Sequence, residues 1–281
     1  MLLRDFFFSI KNVHISFFEK GQIIKLFKVG IVFLYKFIFL DLIFYNFFYK
    51  KNLDKIYLKD SRLYKKDLSY LFEYFNSLRQ EHGYEEVYKK NLEEIRNRNI
   101  DILEIGSAKG DGLASFYFYF PNSSLIGIDN NPFRIRYKSK RIRYIYSDVS
   151  SRKIMENLTN HLNKKFDLII EDSSHLLIDQ IISFVENFKN LKGKGIYVVE
   201  DLNFSEIHEK YNPTGESINL KTILKKIINK EKIDTHLINE KQLNYLKNNI
   251  ETLKIFKCKN KKNYLVEGIS EYSEIAFVKK K

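Results

Sequence analysis

The sequence contains few of the residues that interrupt or cross-link a chain. Only three prolines occur in 281 residues, which argues against a proline-rich linker between domains. The single cysteine, Cys258, excludes a disulfide framework and a cysteine-based zinc site, and it fits a reducing compartment. A chain of this length can hold one α/β domain with additions and enough core to fold alone.

Long uncharged apolar runs are also missing, although the first fifty residues are rich in aromatics. The stretch 23–49 is interrupted by Lys25, Lys28, Lys36 and Asp41, so it does not reach the ~18 uncharged residues of a spanning helix. No small-residue cleavage site marks a secretory signal. On a helical wheel the three lysines fall within roughly 80° and leave a broad apolar face. That face fits an interfacial helix on an anionic membrane, or a helix packed on the domain or in a homo-oligomer.

The charge balance indicates anionic partners. A net charge of +13 favours attraction to membranes, nucleic acids or phosphorylated substrates. The basic run at residues 257–262 is not interleaved with aromatics, so we expect a solvated turn there and no nucleic-acid partner. We expect a cytoplasmic protein, with peripheral attachment to the inner membrane face as the finer prediction.

Charged residues follow two apolar runs. Asp172-Ser-Ser-His175 comes after the run 166–170, and Glu200-Asp201 comes after the run 195–199. Buried parallel strands give such continuous apolar runs, and open α/β sheets bind ligands at the carboxyl ends of their strands. Three carboxylates and an imidazole would therefore gather in one crevice. Oxygen ligands of this kind suit Mg²⁺, and a neutral histidine suits proton abstraction. The alternative, that these acids only cap helices, leaves His175 and Glu200 unexplained.

A glycine loop upstream predicts a second binding site. The predicted strand 101–105 carries Glu104 and runs into Gly106-Ser-Ala-Lys-Gly110-Asp-Gly112, and the next predicted strand ends at Asp129. Such a loop lets a ligand approach the backbone closely. An acid at the end of the second strand can accept hydrogen bonds from both ribose hydroxyls. This pattern predicts a cofactor that contains a nucleoside.

The glycine spacing favours S-adenosylmethionine over NAD. The dinucleotide fingerprint needs G-x-G-x-x-G directly after the strand, but Ala108 occupies the second glycine position. Asp111 would repel a pyrophosphate, whereas Glu104 suits a cationic sulfonium and an amino group. Asp148 follows the third predicted strand, where an acid can bind the adenine amino group. The alternative is an α/β domain whose loop simply turns.

The remaining pattern predicts a Rossmann-like, doubly wound and mostly parallel sheet with an N-terminal helical extension. Helices fill the gaps between strands, and two late strands would form an antiparallel hairpin. Strands are expected at about 101–105, 124–129, 142–147, 166–171, 195–200, 251–257 and 274–279, and helices at about 67–79, 84–98, 113–120, 178–188 and 218–230. Tyr84 and Tyr88 lie four apart on one helix face, where they cover the cofactor or pack in the core.

From about Arg79 to Leu202 the chain resembles class I S-adenosylmethionine-dependent methyltransferases. More narrowly, it is similar to the Mg²⁺-dependent sugar O-methyltransferases that act on macrolide-type glycosides and to related cephalosporin hydroxylase-like proteins. The resemblance is carried by His82-Gly-Tyr84 with Tyr88, Leu103-Glu-Ile-Gly106, Gly127-Ile-Asp129, Ser147-Asp148, Asp172-x-x-His175 and Val199-Glu-Asp-Leu202.

The resemblance implies a role for each polar residue of the crevice. The carboxylates matching Asp172, Glu200 and Asp201 hold the metal, and the histidine matching His175 is the general base. The family's Asp-Asp-Gly-Ser-His run is Glu171-Asp-Ser-Ser-His175 here. The implied reaction is methyl transfer from S-adenosylmethionine to a hydroxyl of a sugar or glycan precursor.

The division of the chain follows from this resemblance and from the apolar, aromatic-rich composition of the first fifty residues. We expect an apolar helical segment at residues 1–50, a helical lead-in at 51–95 and a methyltransferase domain at 96–281.

Two other functions stay open. One is an oxidative, hydroxylase-like enzyme on the same carboxylates, although the two-histidine iron set is absent from the motif. The other is a non-catalytic, membrane-associated binding module.

Overall fold

The computed structural model describes residues 4, 5, 8, 9, 11, 12, 50–131, 134–261 and 271–281. The predicted interfacial stretch 23–49 lies outside the described residues. Within the described part of the chain, no helix has both the length and the apolar character needed to cross a bilayer.

A seven-stranded sheet forms the centre of the molecule. Its spatial order is β3-β2-β1-β4-β5-β7-β6, in which the first five strands are parallel and β7 runs antiparallel to both of its neighbours. The predicted doubly wound, mostly parallel sheet is therefore confirmed. The strands are β1 (Asp101–Ile105), β2 (Ser124–Asp129), β3 (Ile142–Tyr146), β4 (Phe166–Glu171), β5 (Leu191–Val199), β6 (Ile250–Lys259) and β7 (Tyr272–Lys280).

Helices pack on both faces of this sheet. They are α1 (Leu53–Lys59), α2 (Leu68–Tyr74), α3 (Glu85–Leu92), α4 (Asp111–Tyr119), α5 (Arg152–Leu162), α6 (Leu177–Phe188), α7 (Phe204–Ile207), α8 (Leu220–Ile228) and α9 (Glu240–Asn249). A short parallel pairing of Lys51–Asn52 with Tyr137–Lys138 lies apart from the main sheet.

The sheet has an apolar core on each face, which explains why its strands are continuous apolar runs in the sequence. Ile169 of β4 joins a core that includes Leu158 of α5 and Phe184 of α6. Its neighbours Leu168 and Ile170 join the opposite core, which contains residues of α2, α3 and α4. Because successive side chains of a strand point to opposite faces, a sheet covered on both sides needs apolar residues at every position.

Helix α2 ends earlier than the sequence pattern predicts, and this early end shapes the site. Asp67 caps its first turn by accepting a hydrogen bond from the Tyr70 amide at 3.0 Å. Asn76, just beyond the last turn, adopts a left-handed backbone with φ of 56°, a conformation that asparagine tolerates better than most residues. The chain then leaves the helical path, and residues 77–82 turn towards the carboxyl edge of the sheet.

The described residues near the N-terminus pack on the same domain. Asp5 is fully buried and accepts hydrogen bonds from Arg143 of β3 and from His161 of α5, each at 2.8 Å. Phe8 stacks on the His161 ring with centroids 4.0 Å apart. Asp5 and Phe8 therefore pack on the domain, whereas the alternatives for residues 23–49 stay predictions.

Candidate active site

The residues that follow β4 and β5 meet at the carboxyl edge of the sheet. The Asp172 amide donates to the Ile105 carbonyl at 2.8 Å, and the Glu200 amide donates to the Glu171 carbonyl at 3.0 Å. These bonds continue the parallel ladders beyond the strand ends and bring the two segments side by side. They border a cavity of about 220 Å³, lined by Ser77, Leu78, Arg79, His82, Asp172, His175, Glu200, Asp201, Phe204 and Tyr211.

Asp172, His175 and Asp201 form a compact group in this cavity. One ligand atom from each lies within 4.8 Å of the other two. The imidazole Nε2 of His175 is 3.7 Å from a carboxylate oxygen of Asp201. Two carboxylates and an imidazole at such spacing fit a divalent cation, and the oxygen-rich set favours a hard one.

The backbone at two of these residues is left-handed. His175 has a φ of 59° and Asp201 has a φ of 50°, although neither is glycine. A left-handed non-glycine residue costs roughly 1–3 kcal/mol and persists only where the surroundings enforce it. In the Asp172–His175 turn, His175 carries the left-handed conformation and Ser173 does not. The serine that stands where the family has glycine is therefore accommodated without strain of this kind.

Glu200 lies beside this group, but its carboxylate is hydrogen-bonded to residues outside the group. Its side chain is buried, and its Oε1 accepts a hydrogen bond from Arg79 Nε at 2.6 Å and another from the Tyr88 hydroxyl. Burial and the Glu200 charge raise the pKa of Tyr88 well above its usual value, so the hydroxyl keeps the proton that it donates. Glu200 also lines the cavity of about 220 Å³ described above, which is the smaller of two cavities at this edge of the sheet. That Glu200 binds a metal stays a prediction.

Arg79 is the residue that the sequence pattern missed. Its guanidinium lies 2.6 Å from Glu200, 2.9 Å from Glu104 and 3.2 Å from Asp172, with only 5% of its side chain exposed. A signal did exist, because several carboxylates predicted in one crevice require a cation nearby. In the structure, a Cβ at Gly112 would lie 1.8 Å from Arg79 Nη1. That glycine leaves room for the arginine.

The electrostatics of the crevice follow from this arrangement. Burial and the neighbouring Glu200 raise the pKa of Asp172 well above its usual value, and Arg79 opposes the shift. Burial also raises the pKa of Glu104 to about 7, again against the effect of Arg79. The crevice therefore contains more carboxyl groups than Arg79 alone can pair, an arrangement that a further cation would stabilise.

Three residues predicted to bind a cofactor sit behind the crevice. Glu104 contacts Arg79. The hydroxyl of Tyr84, a fully buried residue, donates to Asp201 at 2.7 Å. Gly110 is left-handed with φ of 82°, and a Cβ there would lie 2.8 Å from the Tyr144 hydroxyl. None of the three is among the residues that line the larger cavity described next.

A second cavity of about 410 Å³ opens along the ends of β1 and β2 and contains the other predicted cofactor residues. It shares Asp172 with the smaller cavity. Gly106 lies where a Cβ would be 2.0 Å from the Asp172 carbonyl oxygen, so only glycine fits. The lining residues are Gly106, Ala108, Ile128, Asp129, Asn130, Arg134, Ser147, Asp148, Val149, Ser150, Asp172, Ser173, Ser174, Leu176 and Asp179.

Two carboxylates in this cavity are held by backbone amides. Asp129 accepts hydrogen bonds from the Ala108 and Asn131 amides, each at 2.7 Å. Asp148 accepts one from the Ser150 amide at 3.0 Å and another from its hydroxyl at 2.6 Å. Burial raises the pKa of Asp129, while the two amides oppose the shift. The geometry suits a nucleoside, with one carboxylate for the ribose and one nearer the base.

His82 is a further histidine in the smaller cavity. Its Nδ1 lies 2.9 Å from the Ser273 hydroxyl and 3.9 Å from a carboxylate oxygen of Asp201. Its ring also stacks on Tyr84 with centroids 5.4 Å apart. The structure thus places His82 against the smaller cavity.

The curated proteins that the chain is similar to are sugar methyltransferases. An 8-demethyl-8-alpha-L-rhamnosyl tetracenomycin-C 2'-O-methyltransferase of Streptomyces olivaceus is 28% identical over 131 residues, which are 44% of this chain and 34% of that protein. A mycinamicin VI 2''-O-methyltransferase of Micromonospora griseorubida is 26% identical over 128 residues, 43% of this chain and 32% of that one. The chain thus spans about a third of the length of these relatives.

The fold is shared with a solved structure of the MycE methyltransferase from the mycinamycin pathway. That structure, in complex with Mg, SAH and mycinamycin VI, aligns with a TM-score of 0.59 at 22% identity, and covers 76% of this chain and 54% of that chain. The methyltransferase domain family matches residues 96–252. The match includes both cavities except for the residues contributed from 77–82. The chain therefore belongs to the methyltransferase domain family.

Proposed function

We propose that this chain transfers a methyl group from S-adenosylmethionine to a hydroxyl of a sugar or glycan precursor, with help from Mg²⁺. One observation carries the proposal: the nucleoside-sized cavity and the group of Asp172, His175 and Asp201 meet at Asp172. The sugar methyltransferases to which the chain is similar support the acceptor class, and the Mg and SAH in the MycE structure support the cofactors.

In this proposal the larger cavity holds the cofactor. Asp129 accepts hydrogen bonds from the ribose hydroxyls, Asp148 lies towards the adenine, and Gly106 lets the ligand approach the backbone. The wall that both cavities share at Asp172 supports delivery of the methyl group to the smaller cavity. Among the described residues that line the larger cavity, Arg134 is the one lysine or arginine, so these residues form no cluster of phosphate-binding cations.

Asp172 and Asp201 would hold the metal, with Glu200 beside them. A bound Mg²⁺ would supply positive charge that lowers the pKa of the acceptor hydroxyl. His175 takes the proton of the acceptor hydroxyl on an imidazole nitrogen. Its Nδ1 is buried and has no hydrogen-bond partner among the described residues. Phe204 and Tyr211 flank the ring, with centroids 5.0 and 6.2 Å away, and limit the access of water.

The deprotonated hydroxyl oxygen then attacks the methyl carbon, and the cofactor sulfur leaves as a neutral thioether. The donor is already activated, so most of the rate comes from positioning and charge compensation. A screen of nucleotide-sugar and glycolipid acceptors with a labelled methyl donor tests the acceptor class. Labelling of a sugar hydroxyl is the expected result, and labelling confined to non-sugar acceptors would contradict it.

The Asp129→Ala variant should bind S-adenosylmethionine about 10- to 100-fold more weakly. The reason is that hydrogen bonds to a charged group contribute roughly 1.5–3 kcal/mol each. Calorimetry with S-adenosylhomocysteine measures the effect. The Asp129→Asn variant keeps the shape of the side chain but only one of the two oxygens that accept from the Ala108 and Asn131 amides, so thermal melts of both variants check for loosening of the loop. Tight NAD binding without S-adenosylmethionine binding would overturn the cofactor assignment.

We also propose that residues 23–49, which lie outside the described residues, attach the protein to an anionic membrane surface. Full-length protein should sediment with anionic liposomes, and high salt should weaken the binding because the lysine contribution is screened. A chain without residues 1–50 should stay in solution. Because that deletion also removes Asp5, Arg143→Gln serves as a control for loss of the Asp5 contact alone. Dissociation of a soluble oligomer on deletion, without liposome binding, would instead show an assembly role.

A further inference from the structure

Arg79 is a fixed cation between the two cavities. Its Nε donates to Glu200, and its Nη2 contacts both Glu104 and Asp172. The guanidinium carbon lies 5.4 Å from the centroid of the Phe116 ring. The missing side chain at Gly112 leaves the space that the guanidinium fills. This arginine is therefore held on every side, unlike a mobile surface arginine.

The contacts of Glu200 show what this cation does. Both hydrogen bonds to the carboxylate, from Arg79 Nε and from the Tyr88 hydroxyl, go to Oε1. No described residue donates a side-chain hydrogen bond to Oε2, and Glu200 lines the smaller cavity together with Asp172 and Asp201. Two donors on one oxygen fix the rotation of the carboxylate and leave the other oxygen for a ligand in the cavity.

Lysine could not replace this arginine without loss. The guanidinium contacts Glu200 through Nε, and it contacts Glu104 and Asp172 through Nη2. These contacts require several donors in one planar group. A lysine ammonium is a point charge and cannot span these three partners in the same way. Among the described residues that line the smaller cavity, Arg79 is also the one lysine or arginine. It therefore supplies both the positive charge and the directed hydrogen bonds at this place.

We infer that Arg79 is the positioning residue of the metal site: it fastens Oε1 of Glu200, with Tyr88, so that Oε2 joins Asp172 and Asp201 around a divalent cation. This inference rests on the proposed metal-assisted function. Groups that hold metal ligands from behind typically change metal affinity 10- to 100-fold when they are altered.

The test is Mg²⁺ binding by calorimetry on the full chain, with a thermal melt in EDTA and S-adenosylhomocysteine binding as parallel readouts. Arg79→Lys should weaken Mg²⁺ binding about tenfold or more and leave the binding of S-adenosylhomocysteine within about twofold. Arg96→Lys is the matched control, because Arg96 lies over the Tyr119 ring as Arg79 lies over the Tyr88 ring, but away from both cavities. Its Mg²⁺ affinity should equal that of the wild type.

A double-mutant cycle shows whether Arg79 acts through Glu200. In a Glu200→Gln background, Arg79→Lys should cost less than about twofold further, since residues in one network are not additive. Tyr88→Phe removes the other hydrogen bond to the same oxygen without a change of charge, so it serves if Arg79→Lys does not fold. It should also weaken Mg²⁺ binding, and only where Glu200 is intact.

Wild-type Mg²⁺ affinity in a folded Arg79→Lys variant would overturn the inference, as would effects of Arg79→Lys or Tyr88→Phe that persist in the Glu200→Gln background. A wild-type protein that binds no divalent cation would instead overturn the metal part of the proposed function. The two failures are therefore distinguishable.

Discussion

We expect the His175→Ala variant to lose about 10²- to 10⁴-fold in kcat, the usual range for removal of a general base. The imidazole lies in the cavity with Asp172 and Asp201, and its Nδ1 has no hydrogen-bond partner among the described residues. His175 is absent from the lining of the larger cavity, so cofactor affinity should change little. Initial rates at saturating cofactor, together with calorimetry, separate the two quantities.

His236→Ala is the matched control for this variant. Its side chain is 77% exposed and contacts Glu216 rather than either cavity. Its kcat should equal that of the wild type. If cofactor binding collapses in His175→Ala while turnover at saturation persists, His175 is a cofactor-pocket residue and the assignment of the base is wrong.

The Asp201→Asn variant should lose at least about 10²-fold in turnover together with most of its Mg²⁺ affinity. The amide keeps the shape of the side chain and an oxygen that can accept the hydrogen bond of the Tyr84 hydroxyl. It removes the charge that attracts a cation to the group of Asp172, His175 and Asp201. Turnover as a function of Mg²⁺ concentration and calorimetric Mg²⁺ binding check both effects.

Asp60→Asn is the control here, because Asp60 pairs with exposed Arg62 at 2.9 Å and lies outside both cavities. Unchanged turnover is expected for it. Wild-type turnover and Mg²⁺ dependence in Asp201→Asn would show that the metal, if one is used, is held by other residues.

The sheet could be predicted from the sequence because its physical signal is local. Strands such as 124–129 and 166–171 are short apolar runs bounded by polar residues, and their ends match the structure. β5 begins at Leu191, before the predicted start at residue 195. The prediction missed the first half of this strand, which includes Lys192 and Lys194 and pairs through a register shift. A polar strand start of this kind leaves no apolar run to detect.

The partners within the crevice could not be predicted in the same way. Arg79 is separated from Asp172 by 93 residues and from Glu200 by 121, so no local pattern links them. The sequence assigned Glu104 to the cofactor because it precedes the glycine loop. In the structure the Glu104 side chain contacts Arg79 behind that loop. The motif fixes which strand carries a carboxylate, whereas tertiary packing decides which cation it meets.

The most direct test of the central claim is methyl transfer from labelled S-adenosylmethionine to a sugar acceptor, measured before and after removal of divalent cations. The proposed site predicts that EDTA abolishes transfer and that added Mg²⁺ restores it, because Asp172 and Asp201 would supply the carboxylate ligands of the cation. Full transfer by metal-free protein would contradict the account.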